Sequence, residues 1–300
     1  AILMSDKILV LSPISATAVE HLKHNYDPLF LYESDDPNAL ISKNQDSISV
    51  LVAGHKSKVS SFFIDRLPAL ELICAPLPAI RHIEIDEHLA KDKNIQILPL
   101  GSVPTDDYVE MTLGLLLSLT RRIVEINMMF RTGHWRSSTK RPGYRLHGKR
   151  AAIFGDVSVK KRLSNTLTSL NVEILDNSSF SSFEAVAADA DLFIILPGLE
   201  SDRGHRVDRE VFEKIGKNGF FICLGSFGCV NVEDLLIALS NKAIMGAAMD
   251  IYSHVEDVPE ALLSMDNVIL TPSVSGMTLE AFHDMGHSVI EAIDGYYKRL

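Results

Sequence analysis

The residue types best suited to chemistry gather in one stretch, Leu146 to Lys161, LHGKRAAIFGDVSVKK. A basic lead-in precedes an apolar run, Arg150 to Phe154, which ends at Gly155, and a helical pattern starts directly afterwards. A second apolar run, Val172 to Leu175, ends at Asp176, 21 residues beyond Gly155. Strand, glycine turn, helix, strand and acid in this order make the frame of a dinucleotide-binding βαβ unit. In such a unit the glycines let backbone approach a pyrophosphate, and the acid holds ribose hydroxyls. Here the fingerprint inside the frame is broken. Where G-x-G-x-x-G is expected, the chain has Gly155, Val157 and Lys160. Val157 puts a β-branched side chain where phosphates would sit, and Lys160 puts a long stem where helix and strand should pack closely. The expected cofactor is therefore none, or weakly held NAD or NADP, with Asp176 equally able to end a strand and do nothing more.

Other chemical residues are sparser. His283 and His287 stand at i and i+4, a spacing that can bind metal on a helix. The pair lacks the glutamate of H-E-x-x-H and a third ligand nearby, so a solvated or helix-packed pair is the preferred reading and no metal is expected. His254 and Glu256 could form an acid–base pair after a strand, with an ordinary polar loop as the alternative. Lys160 and Lys161 read as solvated, although cations there would suit a phosphorylated ligand.

The elements that must position these residues alternate along the chain. Lys7–Leu11, Pro28–Tyr32, Ser47–Ala53, Leu70–Ala75 and Ile95–Leu100 read as strands, and Ser15–His24 as a capped helix. A long helix is expected from Pro104, capped by Thr105 or Asp106, with acids in its first turn facing the positive end of the helix dipole. From Val109 to Val124 it is apolar nearly all round, which predicts burial on most sides. Beyond Asp176, strands are expected at Asp191–Leu196, Gly219–Leu224, Ala243–Ile251 and Asn267–Thr271. Helices are expected at Asp208–Ile215 and Val232–Leu239, and a last one, Leu279–Tyr297, that returns to the first domain. Continuous apolar strands separated by helices predict parallel sheets covered on both faces.

Composition narrows the classes. Three hundred residues, 46% hydrophobic and 23% charged, suit two soluble globular domains. A net charge of −10 argues against nucleic acid as a partner. No uncharged apolar run reaches the length of a membrane span, and AILM at the start is too short for a signal segment; Met4 reads as the natural start. Cys74, Cys223 and Cys229 make no disulfide framework, which favours the cytoplasm.

Taken in order, the chain resembles the D-isomer-specific 2-hydroxyacid dehydrogenase family. The matching segments are Val109-Glu110, Arg121-Arg122, Arg131-x-Gly133-x-Trp135, Leu146-x-Gly148-Lys149, Asp191 to Pro197, Arg203, Gly246 to Asp250, and Asn267 to Pro272. The resemblance implies two doubly wound parallel-sheet (Rossmann/flavodoxin-like) α/β domains with a cleft between them. The outer, substrate-type domain would be residues 1–100 plus 277–300, and the NAD-binding-like domain 101–276. It also implies hydride transfer between nicotinamide and C2 of a 2-keto or 2-hydroxy acid. That chemistry uses a histidine for the proton, a carboxylate to orient it and an arginine to grip the substrate carboxylate.

At those three positions the chain has Ser273, Val255 and Ser226, with Glu256 one residue late. The outer-domain loop that in the family carries G-x-G reads Pro76-Leu77-Pro78-Ala79, and prolines offer no N–H to an anion. The expectation is therefore a dehydrogenase-like protein that has lost hydride transfer, or whose cleft does non-redox chemistry among Ser226, Tyr252, His254 and Ser273. One alternative is an active oxidoreductase with relocated groups, His254 or His283 with Glu256. Another is a dimeric interaction or scaffold protein. A homodimer through the 104–127 helix region is expected in each case, and a small-molecule ligand in the cleft in the first two.

Overall fold

The structure, a computed structural model, describes residues 6–54, 57–76, 85–134, 141–176, 178, 182–199, 207–225, 227–251 and 258–299. The chain forms two compact units, Ala1–Val103 with Met277–Leu300, and Pro104–Gly276. In the first unit the chain runs β1 (Lys7–Val10), α1 (Ala16–Asn25), β2 (Asp27–Phe30), α2 (Pro37–Asn44), β3 (Ile48–Val52), α3 (Ser61–Asp65), β4 (Leu72–Pro76), α4 (Glu87–Asp92) and β5 (Gln96–Leu100). The five strands are parallel, in the order β2-β1-β3-β4-β5.

The second unit follows with α5 (Thr105–Thr120), α6 (Ile123–Arg131), β6 (Arg150–Phe154), α7 (Val157–Ser169), β7 (Glu173–Ile174), α8 (Phe183–Ala187) and β8 (Leu192–Ile195). It ends with α9 (Arg209–Ile215), β9 (Phe220–Cys223), α10 (Val232–Ser240), β10 (Gly246–Met249), α11 (Glu260–Leu263) and β11 (Val268–Leu270). Its sheet is also parallel, in the order β11-β10-β9-β8-β6-β7. Counted from its own first strand, each sheet has the doubly wound order 2-1-3-4-5 of the flavodoxin type, and the second adds a sixth strand. The last helix, α12 (Leu279–Tyr297), belongs to the first unit.

Strand periodicity explains the cores. In the first sheet Ile8, Val10, Val50 and Val52 face one side, where Leu22 of α1 and Val289 and Ile293 of α12 cover them. Leu9, Leu51 and Ile73 face the other side, against Ile41 and Ile64. Both faces are dry, so these strands read as unbroken apolar runs rather than alternating ones. Each such side chain, fully buried, contributes about 1.5–3 kcal/mol to stability. The second sheet repeats the plan, with Ala152, Phe193, Ile195, Phe221 and Met249 packed on α8, α9 and α10.

The long helix is the main departure from expectation. It breaks at Arg121 and Arg122, so that α5 stops at Thr120 and α6 starts afresh at Ile123. The Thr120 carbonyl accepts from the Tyr144 N–H at 2.8 Å, a bond that competes with continuing the helix. Arg122 takes a left-handed backbone, φ +58°, and its guanidinium forks onto Glu125 and donates to the Arg141 carbonyl. Those charge-assisted bonds offset a conformation that costs roughly 1–2 kcal/mol. Neither Thr105 nor Asp106 is the N-cap of α5; Pro104 is. The run from Ile123 on is not buried on most sides either, since α6 has no buried residue. The expected strand over 28–32 is shorter because Leu31–Glu33 curls into a 3-10 turn. No helix among the described residues is long and apolar enough to cross a membrane.

Candidate functional site

In an open doubly wound sheet, ligands bind beyond the carboxyl ends of the strands where the winding reverses. In the second sheet that point lies between β6 and β8. Gly155 follows β6 with φ +126°, and a Cβ there would stand 2.6 Å from the Leu196 carbonyl oxygen and 2.8 Å from that of Pro197. Only glycine fits so close an approach of two backbones. The next residue, Asp156, donates its N–H to the Pro197 carbonyl at 2.7 Å. Its side chain caps α7: Oδ1 accepts from the N–H of Ser158 at 2.9 Å and of Val159 at 3.2 Å. These are the N–H groups that a helix start offers to an anion.

Val157 is the first residue of α7 and is 80% exposed, and Lys160 is half-buried one turn on. Asp176 is exposed beyond β7, the edge strand, where its Oδ1 accepts from the Ser178 N–H at 3.0 Å and hydroxyl at 2.7 Å.

A second polar centre lies at the end of β10. Asp250 is only 4% exposed, and donors meet both oxygens of its carboxylate. Oδ1 accepts from the Thr271 hydroxyl at 2.5 Å and the Val274 N–H at 2.9 Å. Oδ2 accepts from the Ser275 N–H at 2.8 Å and from the Ser275 hydroxyl. This carboxylate thus pins the segment after β11, and Ser273 lies within the pinned loop. Ser273 is exposed with φ +55°, and its N–H donates to the Thr271 carbonyl at 3.0 Å. Tyr108 on α5 has its phenol pushed up by burial, and then by the charges of Asp250 and Asp107. Cys223, at the end of β9, is fully buried, and burial pushes its thiol up to about 12. A thiol held neutral there is no nucleophile.

The model of the D-isomer specific 2-hydroxyacid dehydrogenase NAD-binding domain matches residues 113–275, more than half of the chain. The chain belongs to this family. It is 25% identical to glyoxylate/hydroxypyruvate reductase A HPR2 of Arabidopsis thaliana, over 97% of this chain and 95% of that protein. It is 26% identical to 2-ketogluconate reductase of Gluconobacter oxydans, over 98% and 97%. Among solved structures, the 2-hydroxyacid dehydrogenase of Ketogulonicigenium vulgare superposes with a TM-score of 0.85 at 22% identity, covering 98% of this chain and 96% of that one. The NADPH-dependent glyoxylate/hydroxypyruvate reductase of Sinorhizobium meliloti, in complex with NADP and malonate, gives 0.81 at 22% identity, covering 98% and 94%. At that identity the superpositions establish the fold.

Against the family pattern, the described residues bring together Gly155, Val157 and Lys160 in one strand–turn–helix, with Asp250 and Ser273 in a second loop. The Asp176 carboxylate is engaged locally, by the N–H and hydroxyl of Ser178. Ser226, Tyr252, His254, Val255 and Glu256 lie outside the described residues, as do Leu77, Pro78, Ala79, Trp135 and Arg203. His283 and His287 are exposed on α12, and no metal-ligating group of three occurs among the described residues. Sequence reading passes over Asp156 altogether. Its signal was plain, because aspartate directly before a helical run is a favoured N-cap.

Proposed function

We propose that this chain is a 2-hydroxyacid dehydrogenase family protein that no longer transfers hydride between a nicotinamide and a 2-keto or 2-hydroxy acid. The observation that carries this reading is Ser273, directly after Pro272 within the loop pinned by Asp250. The reaction needs a group there that gains and loses a proton near neutral pH, and an aliphatic hydroxyl does neither. Val255 at the orienting position and Ser226 at the guanidinium position point the same way. The residues of the β6–α7 turn also fail to fit a dinucleotide. A phosphate about 4 Å from the Asp156 carboxylate would meet a repulsion of about 4 kcal/mol at an effective dielectric of 20. No step through a nicotinamide is therefore assigned.

The experiment is a reductase assay on the purified chain. NADH or NADPH is supplied with glyoxylate, hydroxypyruvate or 2-ketogluconate, the compounds named for the relatives, and nucleotide oxidation is followed. No turnover above the protein-free rate is expected. Turnover that scales with protein and survives repurification would overturn the reading.

A second reading is favoured by the comparisons themselves: full-length relatives are named as reductases. On that reading His254 with Glu256 would replace the missing groups, and H254A would abolish whatever turnover the assay finds.

Self-association through the 104–127 region is proposed in both readings. Its support is the exposed apolar start of α6, where Ile123 and Ile126 are half exposed and Val124 is 40% exposed. Sedimentation equilibrium should give a dimer, and I123D with I126D should give a monomer; a monomeric parent chain would refute the interface. A reducing compartment such as the cytoplasm fits three buried cysteines without a disulfide.

A further inference from the structure

We propose that Asp156 is the specificity-determining residue that closes this chain to dinucleotides, its carboxylate standing where a nucleotide phosphate would otherwise dock. The proposal rests on the reading that cofactor binding is lost and gives that loss a cause. Four backbone N–H groups line the turn into α7, those of Asp156, Val157, Ser158 and Val159. Asp156 N–H is spent on the Pro197 carbonyl at 2.7 Å. Those of Ser158 and Val159 are spent on Asp156 Oδ1 at 2.9 and 3.2 Å. Only the Val157 N–H is without an acceptor among the described residues. A pyrophosphate needs several convergent donors. Here it would have to displace a carboxylate that wants the same hydrogens and carries the same sign of charge.

The carboxylate is also held in place from behind. Gly198, with φ +85°, brings its backbone so close that a Cβ there would lie 3.3 Å from both Cβ and N of Asp156. The Pro197–Gly198 turn and the bond to the Pro197 carbonyl thus fix the backbone from which the side chain reaches the helix. Val157 is the weaker obstacle. Its side chain is 80% exposed, so solvent rather than packing surrounds it. The broken glycine pattern therefore points to the wrong residue, and the residue before it does the excluding.

The test uses the full chain and measures NADH and ADP-ribose binding by calorimetry, with thermal melts in parallel. Wild type and V157G should show no saturable binding at millimolar nucleotide. D156G/V157G should bind both, at least about tenfold more tightly than V157G, with a melting shift that rises with ligand. D156N keeps an acceptor for the two N–H groups and removes the charge; it stays capped if the glycine variant does not fold. It should show a smaller gain in the same direction. If folded D156G/V157G binds no better than V157G, or D156N gains nothing, Asp156 is only a cap and the proposal falls while the loss of cofactor stands. Saturable NADH binding by wild type at micromolar concentration would instead remove the parent reading, and this one with it.

Discussion

The two sheets wind in the same order, yet they finish the start of their first helix by opposite means. In the first unit α1 begins at Ser15, a neutral cap whose hydroxyl accepts from the Ala18 N–H at 3.4 Å. Ser15 is 2% exposed because α12 lies over it at Gly286, where a Cβ would come within 1.9 Å of its oxygen. In the second unit α7 begins at Asp156, a charged cap followed by the solvent-exposed Val157. The winding points differ in the same sense. Beyond β1 and β3, Ser12 and Ser57 share a hydrogen bond at 3.1 Å, and the Gly54 N–H donates to Ser57 at 2.8 Å. A helix start must give its N–H groups some acceptor. The first unit does so with hydroxyls under a packed lid, and the second with a half-buried carboxylate. Packing can therefore seal one helix start as completely as charge seals the other, but only the charged seal leaves an open surface for a ligand to test.

Exchanging the two caps is the sharpest way to break that comparison. S15D places a carboxylate beneath Gly286 with no room and little water, so overpacking and desolvation combine. A loss of about 3 kcal/mol is expected, read from the urea midpoint at constant m-value. A loss below about 0.5 kcal/mol would mean that α12 does not seal the site as described.

A smaller effect is expected at the other contact of α12 with α1. Asp294 Oδ1 accepts from the Tyr26 hydroxyl at 2.6 Å and pairs with His21 Nε2 at 2.9 Å. Burial works to raise this carboxyl, but the bonds from Tyr26 and His21 and the charges of His21 and Lys298 outweigh it and hold it below the usual value. A carboxyl depressed in the folded state adds stability above its unfolded pKa, and that stability is lost as pH falls through the folded one. D294N should therefore cost about 1 kcal/mol at neutral pH, discounted for partial exposure, and nothing in strong acid. Parallel stability curves for the two proteins from pH 7 to pH 2 would remove this ionic tie.

The smallest effect belongs to the reciprocal exchange. D156S gives α7 the cap that α1 already uses, and serine and aspartate cap about equally well, so stability should move by less than about 0.5 kcal/mol. A drop near 2 kcal/mol would show that the charge serves the fold, and would make the two helix starts alike in purpose.

Much of this architecture was legible. Unbroken apolar runs such as Ser47–Ala53 and Asp191–Leu196 contain strands β3 and β8, and α12 covers the predicted Leu279–Tyr297. Those signals survive because a strand buried on both faces has no polar alternative. The short helices α2, α3, α4, α8 and α11 went unread, since four to eight residues hold too few turns for a periodic signal. The break at Arg122 was also invisible, because helix propensity runs straight through it and the competing bond comes from Tyr144, far along the chain.

The sequence by itself determined the parallel two-sheet plan, the strand–turn–helix frame around Gly155, and which residue types stand after its strands, Asp250 and Ser273 among them. These depend on residue type and local spacing, which a linear reading retains. Only the tertiary structure decided which donors around that frame are already taken. The Leu196–Gly198 turn meets Gly155 and Asp156 from a strand about forty residues away, and α12 reaches Ser15 from the far end of the chain. Whether an N–H is free depends on what lies within 3 Å of it, and only folding sets that distance.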